Sequence, residues 1–127
     1  MKNTLVIFGM PGTGKGTQSS LLKERYGFKV VSTGDMLRKF ASQPSDFGKN
    51  LKDIMVSGAL VSDDLIEEVV EKYVEKYIDK DDKLLFDGFP RNIGQARSLE
   101  RILEKKNRSL DAILNLDIKK SLLLDRI

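Results

Sequence analysis

The stretch from residue 5 to residue 26 constrains the fold most, because it joins a strand-like apolar run to a helical pattern through a glycine-rich loop. The run is LVIF, and the loop GMPGTGKGT covers residues 9–17. Glycines let the backbone take positive φ and curl, so that successive N–H groups point at one anion. The following helix would aim its unpaired N-terminal donors and partial positive charge at the same place. The stretch therefore predicts a phosphate-binding loop between a strand and a helix.

The spacing of residues within the loop agrees with this prediction. The pattern G-x-x-x-x-G-K fits at Gly9, Gly14 and Lys15. Lys15 would supply charge for the outer phosphates, and a hydroxyl just beyond it would reach a phosphate-bound Mg²⁺. The general motif places that hydroxyl directly after the lysine, whereas here Gly16 intervenes and Thr17 carries it. The plainer alternative is a turn rich in glycine and proline with no ligand, but the flanking strand and helix favour the phosphate loop.

The rest of the chain alternates between short apolar runs and helical patterns. We predict strands over residues 5–8, 28–31, 83–87 and 112–116. Helices are predicted over residues 17–26, 36–42, 49–56, 65–78, 92–103 and 122–127, the fourth of them capped by Ser62. This order is typical of a parallel sheet with helices on both faces. We therefore expect one α/β domain over residues 1–127, with the three-layer fold of P-loop NTPases.

Composition narrows the chemistry and the partners. The chain has no histidine and no cysteine, so acid–base work would fall on carboxylates or lysine, and neither a disulfide nor a thiolate metal site can form. Phosphoryl transfer depends mainly on positioning and charge neutralisation, and needs no such group. The net charge is only +3, with basic and acidic residues interspersed, so nucleotide phosphates explain it and no nucleic-acid partner is expected. No run approaches the roughly 18 apolar residues of a membrane span, so we expect a cytoplasmic protein.

A second candidate element is the strand over residues 83–87, which ends in Asp87. Proteins with a phosphate-binding loop use an acid in this position to hold Mg²⁺, usually through water, beside the nucleotide phosphates. The alternatives are an acid that merely ends a strand, or a hairpin turn at Asp87 and Gly88. Arg91 follows four residues later, and its planar guanidinium would suit the transferred phosphate.

Several motifs in the chain together resemble one family. The GKGT after a G-x-P-G opening is similar to nucleoside monophosphate kinases. With it come GMPGTGKGTQ at residues 9–18, STGDMLR at 32–38, SGALVSDDL at 57–65, FDGFPRN at 86–92 and DRI at 125–127. This series resembles the adenylate kinases almost from end to end. The resemblance implies Mg²⁺-dependent phosphoryl exchange, in which ATP and AMP give two ADP.

The resemblance also implies a role for each matching residue. The ATP-binding residues would be Gly12, Thr13, Gly14, Lys15, Gly16 and Thr17, with Arg126 against the ATP adenine. The AMP-binding residues would be Thr33, Gly34, Arg38, Ala59, Leu60, Val61, Gly88, Arg91 and Gln95, with residues 32–61 as the monophosphate-binding insertion that closes over AMP. Thr17 and Asp87 would hold Mg²⁺, largely through water, and Lys15, Asp87 and Arg91 would be catalytic. Thr33 and Gln95 favour AMP over a pyrimidine monophosphate.

The resemblance breaks after residue 127. Adenylate kinases continue past the DRI motif into an arginine-bearing lid, a further strand and a last helix, and this sequence has none of them. Three interpretations stay open: a fragment of a longer kinase, a lidless variant, or a module completed by another chain. We accordingly expect turnover by this lidless chain to be weak or absent, and the alternative function is adenine-nucleotide binding without turnover. Full-length family members are monomers, but here we expect an exposed edge along residues 112–116 and weak self-association through it.

Overall fold

The chain folds as an α/β protein in the computed structural model, which describes residues 3–9, 13–116 and 123–125. The strands are β1 Thr4–Gly9, β2 Lys29–Ser32, β3 Leu84–Asp87, β4 Ala112–Leu116 and β5 Leu123–Asp125. The helices are α1 Lys15–Tyr26, α2 Thr33–Ala41, α3 Asp46–Val56, α4 Asp63–Tyr77 and α5 Ile93–Glu104. No helix in the described ranges is both long and apolar enough to cross a membrane.

The five strands form one sheet in the order β2-β3-β1-β4-β5. The first four strands in this order run parallel, which confirms the predicted parallel α/β sheet. Asp87 at the end of β3 lies opposite Ile7 of β1 and Ser32 of β2. The carboxyl ends of β1, β2 and β3 therefore meet at one edge of the sheet, where ligands of open α/β sheets bind.

The chain end departs from the prediction. The predicted helix over residues 122–127 is wrong for Leu123–Asp125, which form a strand antiparallel to β4, with Leu124 opposite Leu114. The apolar run LLL at residues 122–124 has no helical period, and as a strand it pairs backbone groups of β4 that would otherwise lack partners. The strand expected to be an exposed edge over residues 112–116 is therefore paired at residues 113–115, and the expected self-association loses that stretch as its basis. Residues 117–122, 126 and 127 lie outside the described residues.

Each face of the sheet carries its own apolar core, because side chains alternate along the strands. Leu5 and Ile7 of β1 belong to a small cluster with Phe28, Leu85 and Ala112, against which Leu22 of α1 packs. On the other face, Val6 joins a larger cluster to which α2, α3, α4 and α5 all contribute, including Met36, Leu51, Val70, Val74, Phe86, Leu99 and Leu103. Helices therefore cover both faces, as predicted.

Most helix starts follow the capping rules. The side chain of the residue before the helix accepts a backbone N–H from the first turn in four of the five described helices, at Ser32, Ser45, Ser62 and Asn92. This confirms the predicted cap at Ser62. Helix α1 differs, because it is preceded by Gly14 and has no side-chain cap.

The amino edge of the sheet is held by an arginine that the sequence did not single out. Arg108 is only 8% exposed. Its guanidinium donates to the carbonyl oxygens of residues 3, 79, 80 and 82, and to the hydroxyl of Thr4. The start of β1, the turn after α4 and the approach to β3 are thereby joined by one side chain.

Candidate active site

Three of the predicted site segments meet at the carboxyl edge of the sheet. The phosphate loop connects β1 to α1, residues 33 and 34 begin α2 directly after β2, and residues 88–91 follow β3. Since β3 lies between β1 and β2, the segment that follows it has the other two on either side. The strand order therefore brings most of the predicted site residues to this one edge of the sheet.

The two predicted charges of the phosphate site touch each other. Lys15 Nζ lies 2.6 Å from Asp87 Oδ1, although the two residues are 72 positions apart in the chain. The Lys15 side chain is 26% exposed and that of Asp87 is 23% exposed. Partial burial strengthens the ion pair relative to one in water. A cation and a carboxylate are thereby placed together where β1 and β3 end.

The start of α1 accompanies this pair. Gly14 has a φ of 90°, in the left-handed region that favours glycine, and it offers no side chain to cap the helix. The first N–H groups of a helix have no partner within that helix, and Lys15 is the first residue of α1. Gly16 and Thr17 lie in the first turn and are exposed. This end of α1 is suited to an anion.

Thr33, Gly88 and Arg91 lie close together on the other side of Asp87. The Thr33 Oγ1 atom is buried, and among the described residues it has no hydrogen-bond partner. Gly88 has a φ of 90°, and a Cβ added there would lie 3.4 Å from Thr33 Oγ1 and 3.6 Å from Arg91 Nη2. Arg91 Nε donates to the Gly88 carbonyl oxygen at 2.9 Å. The glycine thus keeps open a space that a hydroxyl and a guanidinium share.

Arg38 is held within α2 instead of reaching the segment after β3. Its guanidinium pairs with Asp35, and both side chains are about two-thirds exposed, at 67% and 66%. The hydrogen bond from Arg38 is the main reason why the pKa of Asp35 is lowered from its ordinary 3.8. A Cβ on Gly34 would lie 3.1 Å from Arg38 Nη1, so the glycine gives the guanidinium its room.

Gln95 is a buried residue in the first turn of α5, with only 4% of its surface exposed. Its Oε1 accepts the backbone N–H of Arg91 at 2.7 Å. Its Nε2 donates to Asp63 Oδ1 at 3.1 Å. The contact with Asp63 could not be predicted from the sequence. Asp63 has the position of an acid that stabilises the start of α4, and a spacing of 32 residues does not indicate a pairing with Gln95.

The remaining predicted residues are less informative. Ala59, Leu60 and Val61 lie in the turn between α3 and α4, where Leu60 is 96% exposed. Thr13 directly precedes Gly14 at the start of α1. Gly12 and Arg126, which were predicted to contact ATP, lie outside the described residues.

The donor atoms available at Asp87 and Thr17 fit Mg²⁺. They are a carboxylate and a hydroxyl, both hard oxygen ligands of the kind that this ion takes. In the described part of the chain, no group of three or more acidic, histidine or cysteine side chains could hold a metal by itself. That agrees with the usual magnesium arrangement, in which one or two carboxylates act together with substrate phosphates and water.

Comparison with known proteins identifies the family. The adenylate kinase family model matches residues 7–127. The adenylate kinase of Wolbachia pipientis from Culex pipiens is 43% identical over 124 residues, which cover 97% of this chain and 57% of the relative. Those of Sinorhizobium medicae and Stenotrophomonas maltophilia are 42% and 43% identical over 97% of this chain, and the matches cover 64% and 65% of their lengths. The chain thus spans about three-fifths of these relatives, and it belongs to the adenylate kinase family.

Proposed function

We propose that the protein is a nucleoside monophosphate kinase that catalyses the Mg²⁺-dependent, reversible reaction of ATP and AMP to two ADP. The observation that carries this proposal is the contact between Lys15 and Asp87. It brings the cation of the phosphate loop to the acid that would hold the metal, at the carboxyl edge where nucleotides bind. A cytoplasmic location belongs to the same proposal.

The ATP half of the proposed site uses the loop before α1. Gly12, Thr13, Gly14, Gly16 and Thr17 would surround the ATP phosphates, and Lys15 would neutralise their outer charge. Mg²⁺ held by Asp87 and Thr17 would offset the negative charge of the phosphate oxygens. Lys15 would then exchange part of its contact with Asp87 for phosphate oxygens. Arg126 would lie against the ATP adenine.

The AMP half uses the groups around Gly88. The hydroxyl of Thr33, which has no partner in the described part of the chain, supports a role for this residue. A buried polar atom without a partner costs free energy until a ligand supplies one. Arg91 and Arg38 would hold the AMP phosphate, for which Arg38 must leave Asp35. Gln95 and the backbone of residues 59–61 would contact the adenine. We infer that residues 32–61 move as an insertion that closes over AMP.

The direct test is ADP formation from ATP, AMP and Mg²⁺ by the purified chain and by its Lys15→Ala variant. Removing the cation should lower the rate by at least about 10²-fold, since a single group aimed at the transferred charge is worth that much. Lys23→Ala is the matched control, because Lys23 is an exposed lysine of the same helix. Its rate should stay within about twofold of the original, as is usual for surface substitutions.

The outcomes separate transfer from binding. An unchanged rate in Lys15→Ala would contradict the proposed site, since the activity would then come from elsewhere. A folded chain that binds ATP and AMP without forming ADP would contradict transfer by these residues and leave adenine-nucleotide binding as the function. Circular dichroism on each variant shows whether the chain remains folded.

A further inference from the structure

The side-chain amide of Gln95 has a hydrogen-bond partner at each end, and both partners are fixed in chemical type. The Arg91 backbone N–H can only donate, and Asp63 as a carboxylate can only accept. Oε1 must therefore face Arg91 and Nε2 must face Asp63. A 180° flip of the amide would set two donors against each other at one end and two acceptors at the other.

Of the two partners, only Asp63 contributes a side-chain atom, so it can be changed by substitution. Its position also connects two parts of the proposed site. It is the first residue of α4, directly after the Ser62 cap, so it ends the exposed turn that contains residues 59–61. Gln95 lies in the first turn of α5. Their hydrogen bond thus ties the proposed adenine-contacting turn to the proposed adenine-contacting amide.

Each atom of the amide keeps capacity for a base. Oε1 has a second lone pair, and Nε2 has a second proton. Adenine carries an amino donor at position 6 next to a ring nitrogen that accepts, whereas guanine carries a carbonyl acceptor next to a ring N–H that donates. For a base in one pose, adenine therefore needs the amide oxygen where guanine needs the amide nitrogen. A freely rotating glutamine could serve either base, and a locked one serves a single base.

We propose that Asp63 is a positioning residue, which locks the Gln95 amide in one orientation and so sets the preference of the monophosphate site for adenine over guanine. The proposal rests on the proposed function, because it assumes that Gln95 contacts the base of AMP. A wrong base would leave buried polar atoms without partners, and that mismatch is a strong source of discrimination.

Asp63 could instead only stabilise the start of α4, and that structural role can be distinguished from the positioning of Gln95. An acid in the first turn stabilises a helix through the dipole, and Asp64 provides the same charge in the same turn. Both aspartates are exposed, and Asp64 is not a partner of Gln95. Asp64→Ala therefore reproduces the loss of a first-turn acid without touching the amide.

The test is calorimetric titration of the chain with AMP, GMP and ATP. Asp63→Ala should weaken AMP binding about fivefold, the effect of one lost hydrogen bond, and should lower the preference for AMP over GMP by about tenfold. Asp63→Asn should retain the preference, because its amide oxygen can still accept from Gln95. Asp64→Ala should leave both values unchanged, and ATP binding should stay the same in every variant. Asp63→Leu, of similar size and without an acceptor, replaces Asp63→Ala should the smaller side chain impair folding.

The outcomes distinguish a failure of the proposed function from a failure of the positioning role of Asp63. A wild-type chain that does not bind AMP would overturn the proposed function and this inference with it. A wild-type chain that binds AMP, with the same preference over GMP in Asp63→Ala and Asp63→Leu, would overturn the inference alone. Equal weakening by Asp63→Ala and Asp64→Ala would do the same, since it would trace the effect to the helix terminus.

Discussion

The two edges of the sheet differ in how far their polar side chains are buried and hydrogen-bonded. At the amino edge, Arg108 is 8% exposed, and all three of its guanidinium nitrogens donate to carbonyl or hydroxyl oxygens. At the carboxyl edge, Arg38 is about two-thirds exposed and is held by one acid. The same contrast holds for two threonines, because the hydroxyl of Thr4 accepts from Arg108 while that of Thr33 has no partner among the described residues.

This difference separates stability from binding. Buried polar groups are nearly always paired, since an unpaired one costs about 1–3 kcal/mol. The amino edge follows that rule and gains stability from it. The carboxyl edge departs from it at Thr33, whose hydroxyl has no partner among the described residues, and it includes the start of α1, which has no side-chain cap. The proposed nucleotides would supply partners there. Three substitution experiments test whether this division holds.

The largest expected effect on folding comes from Arg108. Arg108→Ala leaves four carbonyl oxygens and the Thr4 hydroxyl without their shared donor, so it should lower the free energy of unfolding by about 3 kcal/mol. Urea denaturation measures this. Arg97→Ala is the control, because Arg97 is an exposed arginine of α5, and it should change the free energy by less than about 0.5 kcal/mol. Similar losses from both variants would break the contrast between the edges.

A smaller and more specific effect is expected from the matched pair Thr4→Val and Thr33→Val. Thr4→Val removes an acceptor of Arg108 and should destabilise the fold by about 1 kcal/mol. Thr33→Val removes a hydroxyl for which the described residues supply no partner, so it should leave the free energy of unfolding unchanged or raise it. Only Thr33→Val should weaken AMP binding in calorimetry. A stability loss in Thr33→Val as large as that in Thr4→Val would show that its hydroxyl is paired in solution.

The smallest effect concerns pH. Asp82, before β3, accepts the Asp79 backbone N–H at 2.8 Å, and this bond is the main reason why its pKa is lowered from 3.8. A carboxyl with a lowered folded pKa stabilises the fold above its unfolded pKa and loses that contribution as the pH falls through the folded value. Asp82→Asn should therefore cost about 1 kcal/mol at neutral pH, and the difference from wild type should shrink below pH 3.8.

Asp35 provides the comparison for the carboxyl edge. Its pKa is lowered in the same direction, chiefly by Arg38, but its side chain is 66% exposed. Solvent screening reduces such a pair to less than about 0.5 kcal/mol. Urea denaturation of Asp35→Asn should show little change at any pH between neutral and acid. A loss of unfolding free energy in either variant that increases toward acid pH would contradict a lowered pKa for the aspartate that was replaced.

The sequence predicted those parts of the fold that depend on local pattern. The strand and the helix within residues 5–26 follow from apolar periodicity. The cap at Ser62 and the strand that ends in Asp87 follow in the same way. The end of the chain was predicted wrongly, because an apolar run such as LLL does not distinguish a helix from a strand, and pairing with β4 decided it.

The candidate site was predictable where residue types carry the chemistry. Lys15 and Asp87 were named separately, and the parallel sheet brought them to 2.6 Å. The contacts of Arg38 with Asp35, of Gln95 with Asp63 and of Arg108 with the amino edge were not predicted. The pair of Arg38 with Asp35 has the i, i+3 spacing of a helix surface, so the sequence could have indicated it. The other two contacts depend on how α4 meets α5 and on how the segment after α5 meets the start of β1, which no local pattern shows.

The most direct test of the division between the edges is a titration of the isotopically labelled wild-type chain with ATP and AMP, followed by amide NMR. We predict that the amides of residues 14–17, 33–35, 88–89 and 91–95 shift on binding, while those of residues 3–4, 79–83 and 108–111 do not. Shifts centred on the amino edge, or no shift at the carboxyl edge at saturating nucleotide, would contradict the account.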